Sequence, residues 1–234
     1  MIERPNSPSH WPQRSPINIQ SGLTLLAKLP REHLDIQYPK IFQGAFTECD
    51  PGRHECEFKP SEGTVANIVF NGRVCPLMKL HFHSPSEHKV NGKAFPVEVH
   101  FVHKIPNSEN GSSLVVIGVF LKRGTKVESP EGLRVFGQYL SGMSSRRRKA
   151  NVEPVVDFHS HQFLPEKETT GEYAFFRYEG SLTTQSYGEL VSWVVMRDAV
   201  AVGPSDLDRI VEKADHPARE PKQKNHRLVR RNFS

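Results

Sequence analysis

Long apolar runs are missing from this 234-residue sequence, and without a run of about 18 such residues no spanning helix can form. The opening residues, MIERPNSPSHWPQ, contain no apolar h-region, so no secretory leader is visible. A cytoplasmic chain is the expectation, or a periplasmic or secreted one if the N-terminus is incomplete. Cysteine is scarce: three residues, at 49, 56 and 75, leave at least one thiol unpaired in a monomer and exclude a disulfide framework. Cys49 and Cys56 flank the turn Asp50-Pro51-Gly52, and either a local disulfide or two free thiols fits that spacing. Aromatic residues do not interleave with the basic runs at 146–149 and 219–231, so these runs offer no platform for stacking bases. The net charge of +5 is therefore read as solvated surface and tail, with neither nucleic acid nor membrane as a partner. Repeats and low-complexity linkers are also missing. With 36% hydrophobic residues, the chain is expected to form one domain over residues 1–234, ending in an irregular basic tail over about 219–234.

What is present is mostly strand signal. Residues 64–70 are rich in β-branched side chains and end on Asn71-Gly72, a hairpin pair. Residues 73–83, 96–104 and 113–122 read as further strands, with a second hairpin pair, Asn91-Gly92, between the first two. Helices are fewer. Ser129 before Pro130 predicts a cap, followed by Leu133, Phe136 and Leu140 at helical spacing and a stop at Gly142. Ser205 to Asp208 resembles a capping box ahead of Leu207, Ile210 and Val211. The expected fold class is mainly β (α+β), with a few short peripheral helices.

The chemistry gathers at histidine. In a strand, His81 and His83 project to one face while Phe82 faces the other. On the strand beyond the hairpin pair, Glu98 and His100 share a face, and Val97, Val99 and Phe101 share the opposite one. Adjacent antiparallel strands can then bring three imidazoles to one point. Three neutral nitrogens leave the fourth tetrahedral position of Zn²⁺ open, as in catalytic rather than structural zinc sites. His-x-His alone is most often only a polar strand face; the third histidine, with its carboxylate two residues earlier, gives the pattern its weight.

These residues also carry a resemblance. Leu80-His81-Phe82-His83, Ser86-Glu87-His88, Gly92-Lys93 and Glu98-Val99-His100-Phe101-Val102-His103 resemble the zinc-binding core of the α-class carbonic anhydrases. Arg14-Ser15-Pro16-Ile17-Asn18-Ile19, Val116-Ile117-Gly118-Val119-Phe120-Leu121, Tyr178-Glu179-Gly180-Ser181-Leu182-Thr183-Thr184, Ser192-Trp193-Val194-Val195 and Asn225-His226-Arg227 extend it over nearly the whole chain. The resemblance implies a large twisted, mostly antiparallel sheet, with Zn²⁺ on His81, His83 and His100. It further implies reversible hydration of carbon dioxide to bicarbonate and a proton by zinc-bound hydroxide, in a monomer or homodimer. By the same resemblance Glu98 accepts the spare N–H of His100, and Thr183 orients the nucleophile with Glu87 as its carboxylate partner. Thr184 contacts substrate, and Val102, Val116, Leu182, Val191 and Trp193 form the apolar wall that receives it.

Three positions depart from the family pattern. Lys79 stands where glutamine is common, and an ammonium has three donors and no acceptor for the N–H of His81. If its charge lies near the metal, Lys79→Gln should tighten binding. Asn71-Gly72-Arg73 resembles the segment that ends in the family's proton-shuttle histidine, which makes Arg73 the shuttle position with no shuttle in it. The segment before Arg14-Ser15-Pro16, which holds His10 and Trp11, is short. The leading reading is an active zinc lyase, and the alternative is a zinc-binding but weakly active relative that serves as a binding protein.

Overall fold

A computed structural model describes residues 14–27, 34–47, 57–108, 113–125, 128–143, 155–183, 190–214 and 218–234. His10, Trp11, Cys49, Cys56, the basic run 146–149 and Thr184 lie outside them. Along the chain run β1 (Asn18–Ile19), β2 (Leu25–Leu26), β3 (Asp35–Gln37), β4 (Phe42–Thr47), β5 (Glu57–Pro60), β6 (Asn67–Phe70) and β7 (Arg73–His83). After them come β8 (Lys89–Val90), β9 (Val97–Lys104), β10 (Leu114–Arg123), α1 (Glu131–Met143), β11 (Val155–Phe158) and β12 (Phe175–Ser181). The chain closes with β13 (Leu190–Met196), β14 (Val200–Val202), α2 (Pro204–Lys213) and β15 (Arg230–Arg231).

The main sheet has the order β11-β4-β5-β7-β9-β10-β13-β12-β15-β2, with β6, β3 and β14 attached to its flanks. Most pairings are antiparallel; β10 runs parallel to both β13 and β14, so the sheet is mixed. The long strands fall where β-branched and aromatic residues cluster. Both hairpin pairs are turns of the expected kind: Asn71 and Gly72 have φ of 51° and 72°, and Asn91 and Gly92 have 50° and 80°. Two successive positive φ values match the twist of a two-residue hairpin, and Asn and Gly tolerate them best. Asn71-Gly72 joins β6 to β7. Asn91-Gly92 turns within the connection between β7 and β9, where Val90 bridges Lys93.

Two apolar layers use opposite faces of this sheet. Phe82, Val99, Phe101, Ile117 and Val119 pack on one side with Leu133 and Phe136 of α1 and Leu207 and Ile210 of α2. Val102, Val116, Val191 and Trp193 pack on the other, where the histidines also project. A bulge in β7 between Leu77 and Lys79 makes this division possible. An extra residue in one strand shifts its alternation, so Leu77 enters the helix-side core while Lys79, His81 and His83 share the other face.

Local capping differs from the sequence expectation. Ser129 does not cap α1: its Oγ accepts the N–H of Gly203 at 2.9 Å and so holds the N-cap residue of α2. The N-terminus of α1 is capped instead by Gln162, whose Oε1 accepts from Gly132 at 2.7 Å and Leu133 at 3.3 Å. Helix α2 begins at Pro204, so Ser205 lies inside it and Asp206 supplies the first-turn acid, bonded to Arg209 at 2.8 Å. The C-terminal segment is largely irregular but firmly fastened. Arg227 is buried and gives its guanidinium to the carbonyls of Arg14, Gln223 and Lys224 at 2.8–2.9 Å, and β15 pairs with both β12 and β2.

Candidate metal centre

Strand β9 lies antiparallel to β7 with His100 directly opposite His81, and alternation places His83 on the same face. One ring nitrogen of each histidine lies within 4.8 Å of one from each of the others, and all three side chains are buried. The rings meet at centroid distances of 4.9 Å (His81–His83), 5.1 Å (His81–His100) and 4.6 Å (His83–His100). Converging buried imidazoles are a donor set that can hold a metal ion.

Behind His100 stands a buried polar chain. Glu98 Oε1 accepts from His100 Nε2 at 2.9 Å and from His88 Nδ1 at 2.7 Å, while its Oε2 accepts the backbone N–H of His88 at 2.8 Å. His88 Nε2 lies 2.7 Å from Tyr178 Oη, which lies 2.9 Å from Ser15 Oγ; that oxygen accepts the N–H of Ser181 at 3.1 Å. Burial alone would raise the Glu98 carboxyl, but His88 and His100 outweigh it and hold the group well below the usual carboxylate range. The Nε2–H of His100 thus faces an anion, which leaves its Nδ1 for the shared point. Glu98, His88 and His100 also form a close cluster, but their facing atoms are already hydrogen-bonded to one another.

Thr183 donates its hydroxyl to Glu87, which also accepts the backbone N–H of Arg219 at 3.1 Å and sits 3.5 Å from His83 Nε2. Burial pushes the Glu87 carboxyl up, with His100 and the Thr183 bond opposing. The apolar wall expected from the sequence is assembled. Val102 pairs with Val116 and Val116 with Trp193, while Val191 and Leu182 pack in the same cluster. Trp193 Nε1–H is bonded to the Ser181 carbonyl at 3.0 Å, and its ring meets His100 edge-on at 4.9 Å.

Residues 6–233 match the eukaryotic-type carbonic anhydrases. The chain belongs to that family. A Caenorhabditis elegans protein carrying the carbonic anhydrase 3 name is 30% identical over 94% of this chain and 88% of its own length. The α-carbonic anhydrase of Thermovibrio ammonificans, solved with sulfanilamide, is 27% identical with a TM-score of 0.69 over 93% of this chain and 86% of that one. Dioscorin solved with ascorbate shares the fold at a TM-score of 0.74 and 22% identity, over 94% of this chain and 85% of that one. For several other curated relatives the matched segment spans only 52–66% of their length.

Two expectations for this carbonic anhydrase domain need correction. Arg73 is not beside the histidines. It pairs with Phe70 at the exposed hairpin end of β7, eight residues before His81, or about 26 Å at 3.3 Å per residue. Its strand-face companions Cys75 and Leu77 also point into the opposite core. Lys79 does share the face of His81, but its charge is not left uncompensated, because Nζ is ion-paired with the buried carboxylate of Glu57. Removing Lys79 would strip Glu57 of that cation, so tighter metal binding by Lys79→Gln no longer follows.

Sequence reasoning named His88, Tyr178 and Ser15 only as parts of motifs and assigned nothing to Glu57 or Arg219. Gly118 also gains a role, because a Cβ there would lie 2.7 Å from Glu98 Oε1, the oxygen shared by the two histidines. Gly118→Ala should lower unfolding free energy by about 1–3 kcal/mol, measured by urea titration. An unchanged midpoint would mean the carboxylate has room to move.

Proposed function

We propose that this family member is a zinc-dependent enzyme that interconverts carbon dioxide and bicarbonate. The observation that carries the reading is the convergence of three buried imidazoles beside the hydrogen-bonded pair Thr183–Glu87. Neutral imidazole suits Zn²⁺, and a three-histidine set with neither thiolate nor carboxylate among its ligands matches catalytic rather than structural zinc. His81, His83 and His100 would hold the ion. When bound, zinc lowers the pKa of a coordinated water to about 7 and so supplies a nucleophile at neutral pH.

The chain's own residues set the geometry around it. Glu98 fixes the ring of His100 and keeps its proton on Nε2. Because Thr183 spends its proton on Glu87, its oxygen can only accept, which selects the orientation of any donor beside it. Arg219 holds Glu87 in place through its backbone N–H. Val102, Val116, Leu182, Val191 and Trp193 offer a small apolar substrate a surface without competing hydrogen bonds. Thr184 is proposed to contact substrate from the adjoining residue.

Stopped-flow carbon dioxide hydration is the test. Activity should fall to the buffer background after chelation and return with added zinc, and Thr183→Ala should lower kcat/KM by roughly 10²-fold, the scale of a misplaced reacting group. A rate indifferent to chelation would defeat the zinc reading. The likeness to ascorbate-bound dioscorin favours a second reading, a metal-binding relative with little turnover. Stoichiometric zinc with a background rate would select it.

A further inference from the structure

The zinc reading leaves His81 needing an acceptor for its second N–H, since a ligating imidazole almost always donates that proton to a carboxylate, carbonyl or water. Lys79, two residues earlier on the same face, cannot serve. Across the sheet, however, β5 runs antiparallel to β7 with Glu57 directly opposite His81. Side chains so paired stand with Cβ atoms about 4.5–5.5 Å apart on one face. Glu57 is buried at 8% exposure, and its carboxylate is held by Lys79 Nζ, with Lys59 Nζ 3.6 Å away on the solvent side. A carboxylate offers about four lone-pair sites, so the ion pair leaves capacity for another donor.

We propose that Glu57 and Lys79 together form the positioning support of His81. Glu57 takes the imidazole N–H that faces away from the metal, and Lys79 anchors the carboxylate and cancels its charge. The pair reaches the result of a neutral amide by a different route: an acceptor at the ring, with no net charge added beside a dication. It also explains why the bulge before Lys79 matters. The shift puts Lys79 on the face of His81 and Glu57, although Leu77 two residues earlier belongs to the other core. Charged buried pairs keep their partners ordered because either member alone is costly to bury.

This inference rests on the three-histidine metal site, and the experiment separates the two. Metal affinity would be measured by chelator competition with Co²⁺, and the visible cobalt spectrum followed against pH, for the unaltered protein and for Glu57→Leu, Glu57→Gln and Lys79→Met. Glu57→Leu should weaken metal binding about 10–100-fold, the usual scale for removing such a support. Lys79→Met should weaken it less, and should add nothing in the Glu57→Leu background. Glu57→Gln keeps an acceptor, so it should recover most of the affinity while lowering the pH midpoint of the spectral change, because a neutral acceptor makes the imidazole a poorer electron donor. That midpoint shift tests the proposal even if Glu57→Leu fails to fold. Affinity within threefold of the parent in Glu57→Leu, or an unmoved midpoint in Glu57→Gln, overturns the support role alone. A parent protein that binds no cobalt overturns the metal site and the support together.

Discussion

Between pH 7 and pH 4 the protein should lose about 3 kcal/mol of folding free energy through the single imidazole of His103. Its position three residues after His100 turns it to the helix-side face of β9, where it is fully buried. Its Nδ1–H donates to the Val115 carbonyl at 3.2 Å, and Nε2 lies 2.5 Å from Tyr38 Oη, whose ring stacks on it. Burial lowers the imidazole pKa to about 3, against about 6.5 when the chain is unfolded. Below about pH 6.5 the unfolded chain therefore binds a proton that the folded one refuses. Stability falls by roughly 1.4 kcal/mol per pH unit until the folded pKa is reached near pH 3. Urea unfolding with chelator present, repeated in His103→Gln, isolates the effect: the difference between the two proteins should shrink or reverse as pH falls. Parallel pH profiles would show that another group takes up the proton.

Glu98→Leu should be the most damaging single substitution at the histidine cluster. One carboxylate there answers three donors: the rings of His88 and His100 and the His88 backbone N–H. Leucine leaves all three buried and unanswered, at about 3–5 kcal/mol, the scale for removing one partner of a buried charged pair. Metal affinity should fall by more than the roughly 10–100-fold typical of one lost support, because His100 loses both its orientation and its tautomer preference. Glu98→Gln should not rescue it well, since its single oxygen cannot serve donors that now meet both carboxylate oxygens. Urea titration of the metal-free protein and chelator competition give the two readouts. Zinc affinity within threefold of the parent would show that the carboxylate is dispensable to the site.

What could be read in advance divides along a physical line. Strand alternation is a local property, so His81 and His83 on one face, and Glu98 with His100 on theirs, were legible without a fold. The hairpin pair Asn71-Gly72 was legible too, but only as a turn; treating Arg73 as a cavity residue failed because similarity over three residues carries no register. The strand that does lie against His81 is β5, whose pairing depends on a bulge with no signature in composition. Glu57 was invisible for that reason. Caps show the same limit. Ser129 has the residue type of a helix cap, yet the carbonyl of Gln162, distant in sequence, reaches the N–H groups of α1 first. Buried polar chains such as His88–Tyr178–Ser15 depend on which strands meet, so their members read as ordinary motif residues until the sheet is assembled.

The fastening of the C-terminal segment bears on when this site comes into being. Glu87 is completed by the backbone of Arg219, 132 residues later, and Arg227 closes onto the carbonyl of Arg14 across 213 residues. Contacts of such long span cannot form early, because the loop they close must first lose its freedom, and topologies rich in them fold slowly. The strands that carry the three histidines, by contrast, are near neighbours and can pair while much of the chain is still being made. A nascent chain can thus gather its imidazoles before it can order Glu87 and Thr183, so metal capture and catalytic competence need not arrive together. Synthesis arrested before Arg219 would leave a protein able to collect the ion yet without the hydrogen bond that steadies Glu87.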